Sequence, residues 1–279
     1  VTGHPAIQQR DEWPQADPNR MPLATWGYAT RPEGVVVLRD DAVTPVPGGF
    51  GTGEVSLVDI AVSADQTRIA GIDAKGSVWQ AELTEDSQPL RIREGGSTTA
   101  VAFDRSESAW IVDADEGLMA VAADGTVSPI QVTDLSRRSV LLAAVPSRDG
   151  TRAALIVRRG PRTVLLLARI VRGVDSASPV TVSAPRRVES ELAEVTDVAW
   201  STSDSLSVLG AESLGTLQNY DVDLATGRVV ANGTPESPLA VAAAPGLSTL
   251  VGATNGLVYG NDSGVWVERA RGGDPAYPS

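Results

Sequence analysis

The phrase SADQTR at Ser63–Arg68 returns as SRDGTR at Ser147–Arg152. Looser copies stand elsewhere, and aligning them places unit starts at Ile60, Val101, Ala144, Val198 and Val241. The intervals are 41, 43, 54 and 43 residues. A period of about 40 to 50 residues belongs to four-stranded propeller blades, each of which buries its apolar faces only by stacking on neighbours. That repeat narrows the possible folds more than any other feature of the chain.

Each unit reads as an apolar run, a polar turn with Asp or Gly, and a second apolar run. Ser and Asp side chains bond nearby backbone amides in such turns, and Gly takes positive φ without a steric cost. The stretch from Trp110 to Ile130 spells strand, turn at Asp115–Gly117, strand, turn at Asp124–Gly125, strand. The runs are short and rich in Val, Ile and Leu, as strands are. Only 4% of the 279 residues are aromatic, so Val, Ala, Leu and Ile must fill the core. Upstream of Ile60, Thr25–Val46 holds three further strand candidates, TWGYAT, GVVVLRD and AVTPV. The expected fold is therefore all-β, a β-propeller of four-stranded antiparallel blades over residues 21–279. Six blades fit best, and five or seven remain open if the chain ends pair differently. Closure matters because an open ring would leave unpaired edge strands. The 54-residue interval predicts a longer loop within Arg172–Glu194. Residues 1–20, polar with three prolines, read as an arm or linker.

Composition removes several chemistries. There is no Cys, so disulfides, thiolate metal sites and a cysteine nucleophile are excluded. The single His, His4, lies in the arm, which leaves no histidine for a Ser-His-Asp triad in the ring. A net charge of −12, with Arg137-Arg138, Arg158-Arg159 and Arg186-Arg187 scattered, argues against nucleic acid as a partner. No apolar run approaches the ~18 residues of a membrane span. The chain starts at Val1 without Met and reads as a piece of something longer.

Local motifs have plain readings. GGFGTGE at Gly48–Glu54 lacks the Lys-Ser/Thr end of a phosphate loop and reads as an inter-blade connection. VDADEG at Val112–Gly117 fails the EF-hand pattern and reads as a hairpin turn with solvated acids. Trp26, Trp79, Trp110, Trp200 and Trp266 fall in strand-like runs and are expected to pack between blades. Trp13, outside the repeats, is expected to dock the arm or meet a neighbour. The SRDGTR phrase itself reads as a turn signature resembling TolB-type repeats.

Several phrases in order, GGFGTGEVSLVDIAVSADQTRIAGI, AWIVDADEG, PSRDGTRAALIV, VTDVAWSTSDSLSVLG and VWVERARGGDPAYPS, resemble the C-terminal propeller of the actinobacterial LpqB lipoprotein family. The resemblance runs from about Pro22 to the end, with Ser279 where the family has Gly. It implies an exported accessory protein of the cell envelope, anchored to the outer face of the membrane by an N-terminal lipid beyond this chain. GerMN-type domains are expected upstream. The implied partner is the extracytoplasmic domain of a sensor histidine kinase, MtrB-like, of the MtrAB two-component system. The resemblance brings no catalytic motif, cofactor or metal, and no site residue is carried over. The expected function is a non-enzymatic interaction module whose inter-blade loops carry the contact. The alternative is a sensor of a small molecule or glycan at the central channel, which converging carboxylates or arginines at one mouth would favour.

Overall fold

A computed structural model describes residues 27–39, 42–173, 180–188, 192–212, 215–245, 247–262, 265–271 and 274–278. The arm at 1–20, with His4 and Trp13, and also Trp26, lie outside the described residues. The described chain is all strand and turn, and its sheets form the six blades of a β-propeller.

Five blades follow the chain outward from their innermost strands, Leu57–Val62, Thr98–Phe103, Ser139–Pro146, Leu192–Trp200 and Pro238–Ala242. The first blade is made from both chain ends. Gly27–Arg31, Gly34–Arg39 and Ala42–Pro45 form three of its strands, and Pro275–Ala276 supplies the innermost. Tyr28 pairs with Ala276 and Ala29 with Pro275. A parallel bridge from Pro278 to Val62 fastens this strand to the second blade. Closure thus uses both chain ends without changing the count from six.

The fourth blade corrects the expected loop. Instead of loop alone, Thr181–Arg187 is its outer strand, and the hairpin Arg152–Arg159 with Arg162–Val171 is longer than its counterparts. Gln131–Val132 adds a fifth strand, parallel to Thr181–Arg187. The extra length therefore extends the sheet and covers its edge, because a long apolar hairpin with a bare rim invites pairing with another chain. Residues 174–179 and 189–191 of the anticipated loop lie outside the described residues.

Every seam between neighbouring blades holds an apolar cluster of its own. Trp110, Val112 and Leu118 meet Leu155, Val157 and Leu166 between the third and fourth blades. Ile156 and Leu165 meet Val198, Trp200 and Val208 in the next seam. Tyr28, Val35 and Phe50 close on Ile60 and Ile69 between the first and second. Burying one such Leu or Ile contributes about 1.5–3 kcal/mol, so branched aliphatics at period two suffice without many aromatics.

The repeated turn has a double role. In the first copy, the Ser63 hydroxyl donates to Asp65 Oδ1 at 2.7 Å and accepts from the Arg68 amide at 2.9 Å. Ser147, Asp149 and Arg152 repeat this arrangement in the second. The arginine that ends each phrase crosses to the next blade. Arg68 lies 5.6 Å from the Phe103 ring centroid and donates to the Glu107 carbonyl. Arg152 lies 5.3 Å from the Trp200 ring, donates to the Ser203 carbonyl and pairs with Asp204 at 3.2 Å. SxDxTR thus encodes a tight turn together with a staple across the seam.

Candidate functional site

One position recurs on all six innermost strands, immediately before the aligned unit start. It holds Asp59, Ala100, Ala143, Asp197 and Ala240, with Asp274 completing the ring from the C-terminal segment. Each aspartate reaches to the following blade. Asp59 Oδ2 accepts from the Val101 amide at 3.1 Å. Asp197 Oδ2 accepts from the Val241 amide at 2.7 Å, and Asp274 Oδ2 from the Ile60 amide at 3.0 Å. Where the ring has Ala, the side chain cannot make this bridge.

Asp59 and Asp274 sit on adjacent blades and share a hydrogen bond, so one of the two carboxyls carries a proton. Asp197 stands on the opposite blade. Burial pushes Asp59 up to about 6, against the hydrogen bonds from Asp274 and the two amides. Burial likewise raises Asp197 to about 7, and the charge of Asp59 adds to the shift. Asp274 is held well above the ordinary carboxylate range by burial and by the Asp59 and Asp197 charges. All three lie deep in the ring yet remain partly open to the channel. Among the described residues, none of the three pairs with Arg or Lys, and no group of three or more His, Cys, Asp or Glu could hold a metal ion.

Just before five of the six ring positions the innermost strand carries a β-bulge. The pairing skips Val58, Thr99, Leu142, Thr196 and Leu239. A bulge leaves one residue out of the ladder and re-aims its side chain. Here all five line one mouth of the channel. Val58 is 53% exposed and Leu239 54%, unusual for large aliphatic residues so near a molecular axis. The Thr99 hydroxyl donates to the Leu142 carbonyl at 2.6 Å, tying two neighbouring bulges together.

The mouth opens onto a cavity of about 1150 Å³. Its walls include Val36, Val43, Leu57 and Ala143, its rim Arg31, Glu33 and Arg271, and its floor the three aspartates. Below the floor a narrower space of about 110 Å³ leads toward the other face past Arg148, Trp200 and Tyr277. Burial lowers the Arg148 guanidinium to about 10. The Tyr277 hydroxyl donates to the Ser248 carbonyl at 2.8 Å. What this arrangement can do is receive an elongated group along the axis, with apolar contact at the mouth and acceptors at the bottom.

Of the motifs singled out in the sequence, Gly48–Glu54 touches the mouth through Gly51, and the others lie away from it. In Val112–Gly117, burial of Asp113 is outweighed by bonds from the Glu116 and Asp115 amides, the Ser97 hydroxyl and the Arg93 charge, which hold its carboxyl low. Gly48–Glu54 joins the first blade to the second, with Phe50 buried in that seam. Trp110 and Trp200 are buried, and the Trp200 and Trp266 indoles donate across seams to the Val145 and Asn232 carbonyls. Trp79 is half-buried and bonds Asp73 within its own blade. The three aspartates went unremarked in the sequence. The signal was available in the repeat alignment, where Asp precedes the unit start at 59 and 197.

A family model described as the lipoprotein LpqB beta-propeller domain matches residues 33–278. Lipoprotein LpqB of Thermobifida fusca is 28% identical, over 96% of this chain and 49% of its own length. Lipoprotein LpqB of Streptomyces avermitilis is 27% identical, over 84% of this chain and 41% of its own. The chain spans about half the length of the curated relatives it matches. Among solved structures, a chain from a nidogen/laminin complex superposes with a TM-score of 0.67 at 12% identity, covering 91% of this chain and 98% of that one. TolB from Acinetobacter baumannii gives 0.64 at 13% identity, covering 92% and 67%. Likenesses at this identity speak for the fold alone.

Proposed function

The chain belongs to the LpqB lipoprotein β-propeller family, and from that premise we propose that it is a non-enzymatic interaction module acting on an MtrB-like sensor kinase. The contact is with the extracytoplasmic part of that kinase. In the whole lipoprotein the ring is exported and held at the outer face of the cell membrane by lipid, beyond GerMN-type domains. The observation that carries the reading is the circle of five bulges, which turns Val58, Thr99, Leu142, Thr196 and Leu239 toward one mouth of a rigid ring. A stiff scaffold presenting aliphatic side chains to solvent suits protein recognition. Binding regulates the kinase only if affinity differs between its signalling states.

Calorimetry of this chain with the extracytoplasmic domain of its cognate kinase tests the reading. The expected result is saturable binding with a negative heat-capacity change, the mark of apolar burial. Absence of binding at high micromolar concentration overturns it. The carboxylate floor favours a second reading, a sensor of a small polar ligand at the channel. That reading predicts ligand binding unaffected by substitutions at the exposed rim.

A further inference from the structure

The channel mouth combines a large cavity and exposed aliphatic surface with a floor of carboxylates. The cavity, about 1150 Å³, exceeds the ~300–1,000 Å³ of ordinary small-molecule sites. Its mouth also exposes Val58 and Leu239, aliphatic surface that a docked chain segment would cover. Beneath them lie three carboxylates that no Arg or Lys neutralises among the described residues. Buried carboxylates without a cation either hold protons or await a positive charge. The charged side chains around the cavity are Glu33, Asp59, Asp197 and Asp274 against Arg31 and Arg271, and the Arg31 Nε is engaged by the Arg271 carbonyl. The chain as a whole carries −12.

Resting on the interaction-module reading, we infer that the partner inserts an extended segment into this mouth, with aliphatic side chains on Val58, Leu142 and Leu239 and a Lys or Arg reaching the Asp59–Asp197–Asp274 floor. On the strands of Asp59 and Asp197 the floor lies one residue from the bulged Val58 and Thr196, about 3.3 Å of rise, within reach of a Lys or Arg stem. A cation there replaces the proton shared by Asp59 and Asp274. Insertion therefore releases protons, and the contact tightens as pH rises through the range where the floor titrates. Arg31, Glu33 and Arg271 above, with Arg148 and Tyr277 below, are the other titratable groups facing it.

The test has two arms. In the first, the kinase's extracytoplasmic domain is titrated into wild type, Asp197→Asn and Leu239→Ser. Each substitution is expected to weaken binding by about tenfold or more. Leu239 is solvent-exposed, so Leu239→Ser remains informative if Asp197→Asn unfolds. In the second, the capped peptide Ac-Leu-Lys-Leu-NH2 is compared with its norleucine counterpart, which keeps the stem and deletes the ammonium. The lysine peptide is expected to bind, to release protons and to compete with the kinase domain, whereas the norleucine peptide does none of these. Kinase binding unchanged in both variants overturns the inference and leaves the interaction-module reading standing. Failure of the kinase domain to bind wild type removes that reading, and the peptide pair then decides alone. Equal binding of the two peptides overturns the inference, and so does butylamine binding as tightly as the lysine peptide.

Discussion

Asp197, Asp59 and Glu107 all hold their protons more tightly folded than unfolded. Burial raises Asp197 to about 7 and Asp59 to about 6, and burial with the nearby Asp65 charge raises Glu107 to about 6. A raised carboxyl contributes stability fully below its unfolded pKa and loses it as pH climbs through the folded value. Unfolding free energy should therefore fall between about pH 4 and 7, by up to about 1.4 kcal/mol per pH unit per group. Asp65, Asp73 and Asp113 are held low, so their contribution is lost only as pH falls below about 4, on the acid side of that window. Urea titrations at several pH values check this, with Asp197→Asn expected to flatten the slope; an unchanged slope contradicts the assignment. The seam arginines form the other residue-scale prediction. Arg152→Ala loses the Trp200 stacking and the bond to the Ser203 carbonyl. A loss of about 2–3 kcal/mol should appear as a lower Tm, with Arg152→Lys intermediate because the ammonium lacks the guanidinium's fork.

At the scale of the element, the turn and the bulge differ in how openly the sequence announces them. SRDGTR bonds mostly to itself, so the Ser147–Asp149 pair and the glycine could be understood within six letters. Gly150 takes φ +69°, and the same place in other units holds Gln66 at 60° and Glu107 at 60°. Gly150→Ala should cost about 1–2 kcal/mol, since the left-handed region crowds a Cβ and Arg105 packs against the site. A Tm equal to wild type would contradict that. The staple formed by Arg152 was hidden, because its partners Trp200 and Asp204 lie on another blade. The bulges were hidden more deeply. Val58, Thr99, Leu142, Thr196 and Leu239 are one Val, two Thr and two Leu, with no one type marking the position, and a bulge changes only which neighbour a side chain faces. Phe50 shows a third case: the glycines of Gly48–Glu54 announce a connection, yet nothing local marks its Phe as a seam plug.

For the whole molecule, the repeat period makes six blades the best fit with five or seven open, whereas the pairing of the chain ends that fixes six, and the polar ring, needed the closed circle. Asp274 meets the Ile60 amide across 214 residues of chain, so no local pattern could pair them. Removing the chain after Arg271 would delete this bond, the Pro275–Ala276 strand and the Pro278 bridge to Val62. Two seams would lose their innermost member and bare strand edges would remain. The truncated chain should aggregate or show an expanded profile in size-exclusion chromatography with light scattering. A compact monomer with native Tm would show that closure is dispensable. Because Gly27–Arg31 and Pro275–Ala276 lie side by side, the linear start and finish of the ring are matters of bookkeeping. A peptide linker across that junction, with the chain reopened at the exposed Gly160–Pro161 hairpin tip, should yield a circular permutant that still assembles the same six blades.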